Sequence, residues 1–401
     1  MKKQPVILFT VISYLIMLVI SSCSYGKEDA TLSNNTTESP VAETSNKPVN
    51  SPEYTPEYTP EAKPEFVLIG GEQISTSETV LTIYIVDEPF NTAEEAGRVI
   101  STAQKITDED FAQLRYLTNL QELSIVNYYD INSNLSDISA LSELTKLTSL
   151  RLSNHNISDI NALSGLINLS VLKLDCNYIS DISVLEGLTK LTMLNLEENE
   201  INDISPLAGL THISTLNLSR NRIGDITELS GLKDLSVFRF YDVNDEINDS
   251  SAFIERIAAM DNLTVLVTGG QKIYDINALS ELTGLAELRL WNCQITDISA
   301  LSKLTSLTKL DIRDSEVRNI SALTNLTNLT ELILWNCQIN DLTPLSALSH
   351  LTYLGLDNNQ VSDLTPLSDL TNLITLSLGG NPISDWSPVA HIDEVEGRPT
   401  Q

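Results

Sequence analysis

Aromatic residues make up only 5 % of this 401-residue chain, and four cysteines are spread along it. So few thiols exclude a disulfide framework. Cations are scarce too: 24 Lys and Arg stand against 54 Asp and Glu, a formal charge of −30. A chain so acidic is a poor partner for nucleic acid or for an anionic lipid surface, which both want a basic face. Catalytic groupings are missing as well. The four His (His155, His212, His350, His391) fall in unrelated contexts, and no G-x-S-x-G, H-E-x-x-H or P-loop is present. Without a triad or a metal grouping, no enzyme activity and no cofactor are expected. What the chain does have is 42 % apolar residues, ample material for a core.

The two ends differ from the middle. Lys2 and Lys3 precede an apolar run, Pro5 to Ile20, followed by "ISSC" ending at Cys23. This resembles a bacterial lipobox, in which an aliphatic residue and two small ones precede the Cys that takes a diacylglyceryl thioether. Residues 1–22 are then a signal peptide, and lipidated Cys23 anchors the protein outside the cytoplasm on a bacterial cell membrane. An uncleaved signal anchor is the alternative, because the uncharged span up to Lys27 is long enough to cross a bilayer. Residues 23–65, with the tandem "PEYTPEYTPEAKPEF", read as an extended Pro/Glu/Thr-rich tether. As a coil it would span roughly 35 Å.

From about Leu117 the sequence repeats every 22 residues, as in "LTKLTSLRLSNHNISDINALSG" followed by "LINLSVLKLDCNYISDISVLEG". Such a period with L-x-x-L-x-L signals a leucine-rich repeat solenoid. Aligned on the first Leu of each L-x-L, the anchors are Leu123, Leu150, Leu172, Leu194, Leu216, Phe238, Leu266, Leu288, Leu310, Leu332, Leu354 and Leu376, so twelve strands are expected. Anchor and anchor+2 should point inward. At anchor+9, nine units carry Asp (Asp159 to Asp385), placed to cap the short helical turn that follows. At anchor+5, Asn177, Asn199, Asn221, Asn359 and Asn381 are placed to bond buried backbone, and His155, Cys293 and Cys337 take the same slot. The two cysteines belong to identical "WNCQI" pentapeptides. Two strand spacings, roughly 9–10 Å, separate them, beyond the ~7 Å a disulfide tolerates. They read as ladder substitutes rather than as a metal or redox site.

Two insertions interrupt the period, after Leu123 and after Phe238. "DINSN" (Asp130–Asn134) and "DVNDE" (Asp242–Glu246) imitate the start of a calcium loop, but Leu135, Leu141, Ile247 and Phe253 hold the places that need Gly and Glu, so no metal is assigned. "SSAFIERIAAMDNL" beyond the second insertion has helical spacing and predicts an α-helix on the convex side. Residues 66–116 read as an α/β cap, with Val80–Val86 a strand and "NTAEEAGRVISTA" a helix capped by Asn91. The solenoid is expected over 117–390, with 391–401 covering its last turn.

The units, with "NxIxDIxxLxxL" and "DISPLAGL", "DLTPLSAL" and "DLTPLSDL", resemble the internalin-like leucine-rich repeat family of bacterial surface proteins. The resemblance implies an α/β solenoid with a concave parallel sheet and convex 3₁₀ turns, and protein binding through the concave face. Anchor−1, +1 and +3 should line that face; their 36 positions hold six basic and seven acidic residues, nearly neutral on an acidic molecule. Tyr241, Trp291, Arg313 and Trp335 share the anchor+3 column, and Arg239, Arg289, Ile333 and Tyr353 lie beside it. Both Trp are expected to be exposed and to sandwich Arg313. Exposed Trp, Tyr and Arg dominate protein interfaces, so these eight residues are the expected binding patch for a protein ligand. The alternative is a structural envelope scaffold, with the stack merely tidying the surface.

Overall fold

The computed structural model describes residues 64–85, 98–102, 106–128, 135–241, 246–247, 249–270 and 273–398. The signal segment, Cys23, most of the tether, and the two calcium-like stretches apart from Glu246 lie outside them.

Among the described residues, fifteen parallel strands form one sheet, and chain order is spatial order except at its start, where β4 lies outside β3. The twelve anchored strands are β5 (Glu122–Asn127), β6 (Ser149–Ser153), β7 (Val171–Lys173), β8 (Met193–Asn195), β9 (Thr215–Asn217), β10 (Val237–Tyr241), β11 (Val265–Gly269), β12 (Glu287–Trp291), β13 (Lys309–Arg313), β14 (Glu331–Trp335), β15 (Tyr353–Gly355) and β16 (Thr375–Ser377). Register is set residue for residue, anchor opposite anchor: Leu288 faces Leu310, which faces Leu332. A 22-residue repeat with a two-residue alternation leaves no other pairing that keeps every Leu inside. The anchors are 2 % exposed or less and belong to one core running the length of the solenoid.

Each turn closes with the same polar devices. All nine anchor+9 Asp accept a hydrogen bond from the backbone N–H two residues on, at 2.8–2.9 Å, and so start the 3₁₀ turns. Asn199 shows the ladder: its Oδ1 accepts from the Ile179 N–H at 3.0 Å, and its Nδ2 donates to the Leu174 and Leu196 carbonyls at 3.0 and 3.1 Å. On the ascending side, hydroxyls of Thr148, Ser170, Thr192, Ser214 and Ser236 each donate to a carbonyl one turn earlier at 3.1 Å. The Asp and Asn side chains thereby satisfy backbone that faces away from the sheet, and the hydroxyls add to carbonyls that already accept from backbone N–H groups.

The N-terminal cap departs from expectation. A hairpin, β1 (Phe66–Ile69) and β2 (Glu72–Ser75), stands apart from the main sheet, and β3 (Val80–Ile85) pairs with β5. The helix expected across "NTAEEAGRVISTA" does not extend through its second half: Arg98–Thr102 is β4, parallel to β3. Three of the four residues of its "VIST" core are β-branched, and pairing at a sheet edge outweighs the weak helical pattern there. Among the described residues of the cap, the helix is α1 (Asp108–Ala112), started by a reciprocal capping box between Thr107 and Asp110. Beyond the second insertion α2 (Ser250–Ala258) forms as the spacing predicts, with Phe253 packed on Phe240 at 5.1 Å between ring centres. At the C-terminus the repeat runs past residue 390: Ser387–Val389 makes another 3₁₀ turn, and β17 (Glu394–Glu396) adds a final strand.

Candidate protein-binding face

Alternation on each strand decides what the concave face presents. On β10, Phe238 and Phe240 go inward, and Arg239 and Tyr241 outward; on β12, Arg289 and Trp291 take the outward positions. In-register pairing then lines up Tyr241, Gly269, Trp291, Arg313 and Trp335 across five consecutive strands. The structure brings these anchor+3 residues together as one ridge.

The ridge is more tightly built than its composition implies. Arg313 lies between the two indoles, its guanidinium carbon 5.6 Å from the Trp291 ring centre and 4.2 Å from that of Trp335. The same guanidinium donates two bonds to Asp311, at 2.7 and 2.8 Å. Arg289 reaches Trp291 at 6.0 Å while donating to Glu287 at 2.7 Å, and Lys309 pairs with Glu331 at 3.0 Å. Tyr241 meets Trp291 edge-on at 6.1 Å. Gly269 makes that contact possible, since a Cβ there would sit 2.9 Å from two Tyr241 ring carbons and collide with the Trp291 carbonyl. Gly355 likewise leaves the space that the Trp335 indole fills.

Two expectations change here. The Trp side chains are half-buried rather than exposed, and the Trp335 indole Nε1 is buried with no hydrogen-bond partner among the described residues. Ile333 points out of the core yet is only 6 % exposed, and Tyr353 is half-buried. Parallel strands about 4.8 Å apart on a concave surface press neighbouring side chains into contact, so a large residue here buries much of its own area. Burial also raises the Asp311 carboxyl above its ordinary range, against the pull of Arg313 and of the nearby Trp291 indole N–H. Reading residue types alone misses Asp311, Gly269 and Gly355, although the i, i−2 spacing of Asp311 to Arg313 and of Glu287 to Arg289 was a usable signal.

Inside the turns, the two thiols occupy ladder slots. Cys337 Sγ lies 3.5 Å from the Trp335 carbonyl and 3.8 Å from that of Ile312, and Cys293 Sγ 3.4 Å from that of Trp291. Burial pushes both thiols up to about 12, where they are unreactive. His155 bonds the Ile125 carbonyl at 3.2 Å, and its burial lowers its pKa to about 4. No group of three His, Cys, Asp or Glu able to hold a metal occurs among the described residues.

Comparison with known proteins places this architecture. Family models described as "Leucine Rich repeats (2 copies)" match residues 283–326, 327–369 and 350–391, and "Leucine rich repeat" matches 145–201 and 167–223. No curated protein sequence matches the chain. Among solved structures, a leucine-rich repeat protein of Leptospira interrogans superposes with a TM-score of 0.56 at 22 % identity, covering 74 % of this chain and 82 % of its own. The ectodomain of an Arabidopsis thaliana membrane receptor kinase gives 0.52 at 20 % identity over 80 % of this chain and 38 % of that one. Both share the fold. An internalin from Listeria monocytogenes (inlF) is similar at 31 % identity with a TM-score of 0.64, over 82 % of this chain and 91 % of its own. The chain belongs to the internalin family of leucine-rich repeat proteins.

Proposed function

We propose that this protein binds another protein through the concave face of its solenoid, outside the bacterial cytoplasm and held at the membrane by a lipid on Cys23. The observation carrying the reading is the ridge of Tyr241, Trp291, Arg313 and Trp335, an aromatic–cationic surface already locked in place by Asp311 and by the two glycine gaps. Such side chains have little freedom left to lose on binding, so their contact area converts to affinity efficiently. Arg239, Arg289, Ile333 and Tyr353 flank it. The chain's net charge of −30 argues against nucleic acid. The ridge's internal saturation favours one alternative, a structural envelope scaffold whose stack only stabilises the sheet.

Trp291→Ala and Trp335→Ala separate the two. The immobilised full chain should capture a stoichiometric, salt-tolerant protein partner. Each Trp variant should then lose roughly 2 kcal/mol of affinity, about thirtyfold in Kd, while circular dichroism still reports the folded solenoid. Normal capture by the double variant would refute the ridge as the binding patch, and a chain that captures no protein at all would leave the scaffold. Anchoring has its own test: Cys23→Ser should abolish incorporation of labelled fatty acid, and a mature chain carrying unmodified Cys23 by mass spectrometry would refute it.

A further inference from the structure

The other half of the concave face carries a different chemistry. At the anchor−1 row, Val171, Met193, Thr215, Val237 and Val265 stand directly opposite one another on five consecutive strands, β7 to β11. Each is half-buried, so a continuous stripe with one methyl-bearing hydroxyl among four apolar side chains lines this part of the face. Two residues along the same strands runs a parallel row: Lys173, Asn195, Asn217 and Arg239. Neither Lys173 nor Arg239 has an ion-pair partner among the described residues. The cations of the ridge half differ, because Arg289, Lys309 and Arg313 are each paired with an acid of the same face. The nearby acids of the stripe half are hydrogen-bonded within it, mainly to the two Asn of the same row, and neither forms an ion pair with Lys173 or Arg239. Asp175 accepts from Ser153 at 3.0 Å and from Asn195 at 2.9 Å, and Glu197 accepts from Asn217 at 2.8 Å. Burial and the neighbouring Arg151 hold the Lys173 ammonium below the usual lysine range, in spite of Asp175.

An apolar stripe edged by unpaired cations calls for a partner with an apolar face edged by acids. Its shape follows from pitch. Strands here are spaced about 4.8 Å, whereas a helix brings side chains of one face round every 5.4 Å. A helix lying along the solenoid axis therefore matches successive strands with successive turns. An extended peptide in that direction repeats its side chains every ~6.6 Å, out of step. It would also find no free backbone to pair with, since each of these inner strands is bonded on both sides. The stripe is about 19 Å long, the length of a helix of roughly 13 residues.

We infer that the β7–β11 half of the concave face is a docking groove for an amphipathic α-helix of the partner protein, its apolar face on the Val171–Val265 stripe and its acidic flank on Lys173 and Arg239. This rests on the reading of the concave face as a protein-binding surface, and adds a second site beside the Trp ridge, with Arg239 shared at their border.

The probe is an 18-residue lactam-stapled helical peptide with Leu along one face and Glu on its flank, titrated against the full chain by fluorescence anisotropy at about 0.15 M salt. The same peptide with Lys for Glu, and a shuffled version, are the controls. The Glu peptide should bind at least about tenfold tighter than the Lys peptide, the effect of two short charge pairs. That order runs against the net charge of −30, so non-specific attraction cannot produce it. Lys173→Glu with Arg239→Glu should weaken binding about tenfold or more, Lys173→Gln with Arg239→Gln by less, and Trp291→Ala with Trp335→Ala hardly at all. Failure of the Glu peptide to bind, equal binding of the Lys peptide, or indifference to charge reversal would each overturn the groove. If the captured partner is lost in the Trp variants but kept by Lys173→Glu with Arg239→Glu, the groove alone is wrong. Retention by every variant would sink the concave-face reading itself.

Discussion

The cysteine of the second "WNCQI" offers a sharp test of how the ladder stabilises the solenoid. In an Asn unit the side-chain carbonyl takes the N–H of the preceding turn, as Asn359 takes that of Ile339 at 3.1 Å. Cys337 has no oxygen to offer. The Val317 N–H, on a fully buried residue, has no hydrogen-bond acceptor among the described residues. A buried unsatisfied donor costs about 1–3 kcal/mol. Cys337→Asn should restore that bond and strengthen those to the Ile312 and Trp335 carbonyls, a gain of about 2 kcal/mol after some crowding. For roughly 310 described residues, an unfolding entropy of ~2.1 cal/mol/K per residue turns this into a rise in Tm of about 3 °C. Cys293→Asn is the internal control. There the corresponding amide, Ile273, already donates to the Gly270 carbonyl at 3.1 Å, so little should be gained. Thermal melts of both variants, with hydrogen exchange read at Val317, decide it. Equal shifts for the two, or unchanged exchange at Val317, would refute the reasoning.

Two further outcomes follow from buried charge. His155 has a folded pKa of about 4 against an ordinary 6.5, so the unfolded state takes the proton first and stability falls as pH drops from about 6.5 to 4. That loss should reach about 3 kcal/mol, and His155→Asn should flatten this part of the stability–pH curve; an unaltered slope would refute it. Arg313→Ala strands the 4 %-exposed Asp311 carboxylate and should cost about 3 kcal/mol at pH 7. Because burial raises the Asp311 pKa, this carboxyl's contribution becomes less favourable as pH rises through its folded value, so the variant's deficit should be smaller in acid than at pH 7. Urea titrations at the two pH values giving the same deficit would show that Asp311 is not the stranded charge.

How much of this was readable in advance depended on whether a residue answers to its repeat or to its neighbours across strands. The 22-residue period makes each unit a copy of the last, so the twelve strands, their register, the Asp-started turns and the Asn, His and Cys ladder slots all follow from position in the unit. Residues 98–102 obey no repeat; there a helical pattern of single residues competed with a parallel partner, β3, that local sequence cannot show, and the partner won. The concave face lies between these cases. Position in the unit says that Trp291, Arg313 and Trp335 point outward, but exposure depends on what stands 22 residues away. Gly269 and Gly355 let rings lie down, and Asp311 holds Arg313 between them. A column of residues in a repeat is therefore legible as a surface before it is legible as a shape. Its shape comes from substitutions that break the column. The same holds for the Val171–Val265 stripe, which no single unit reveals, since each contributes one half-buried side chain and only the register joins five of them.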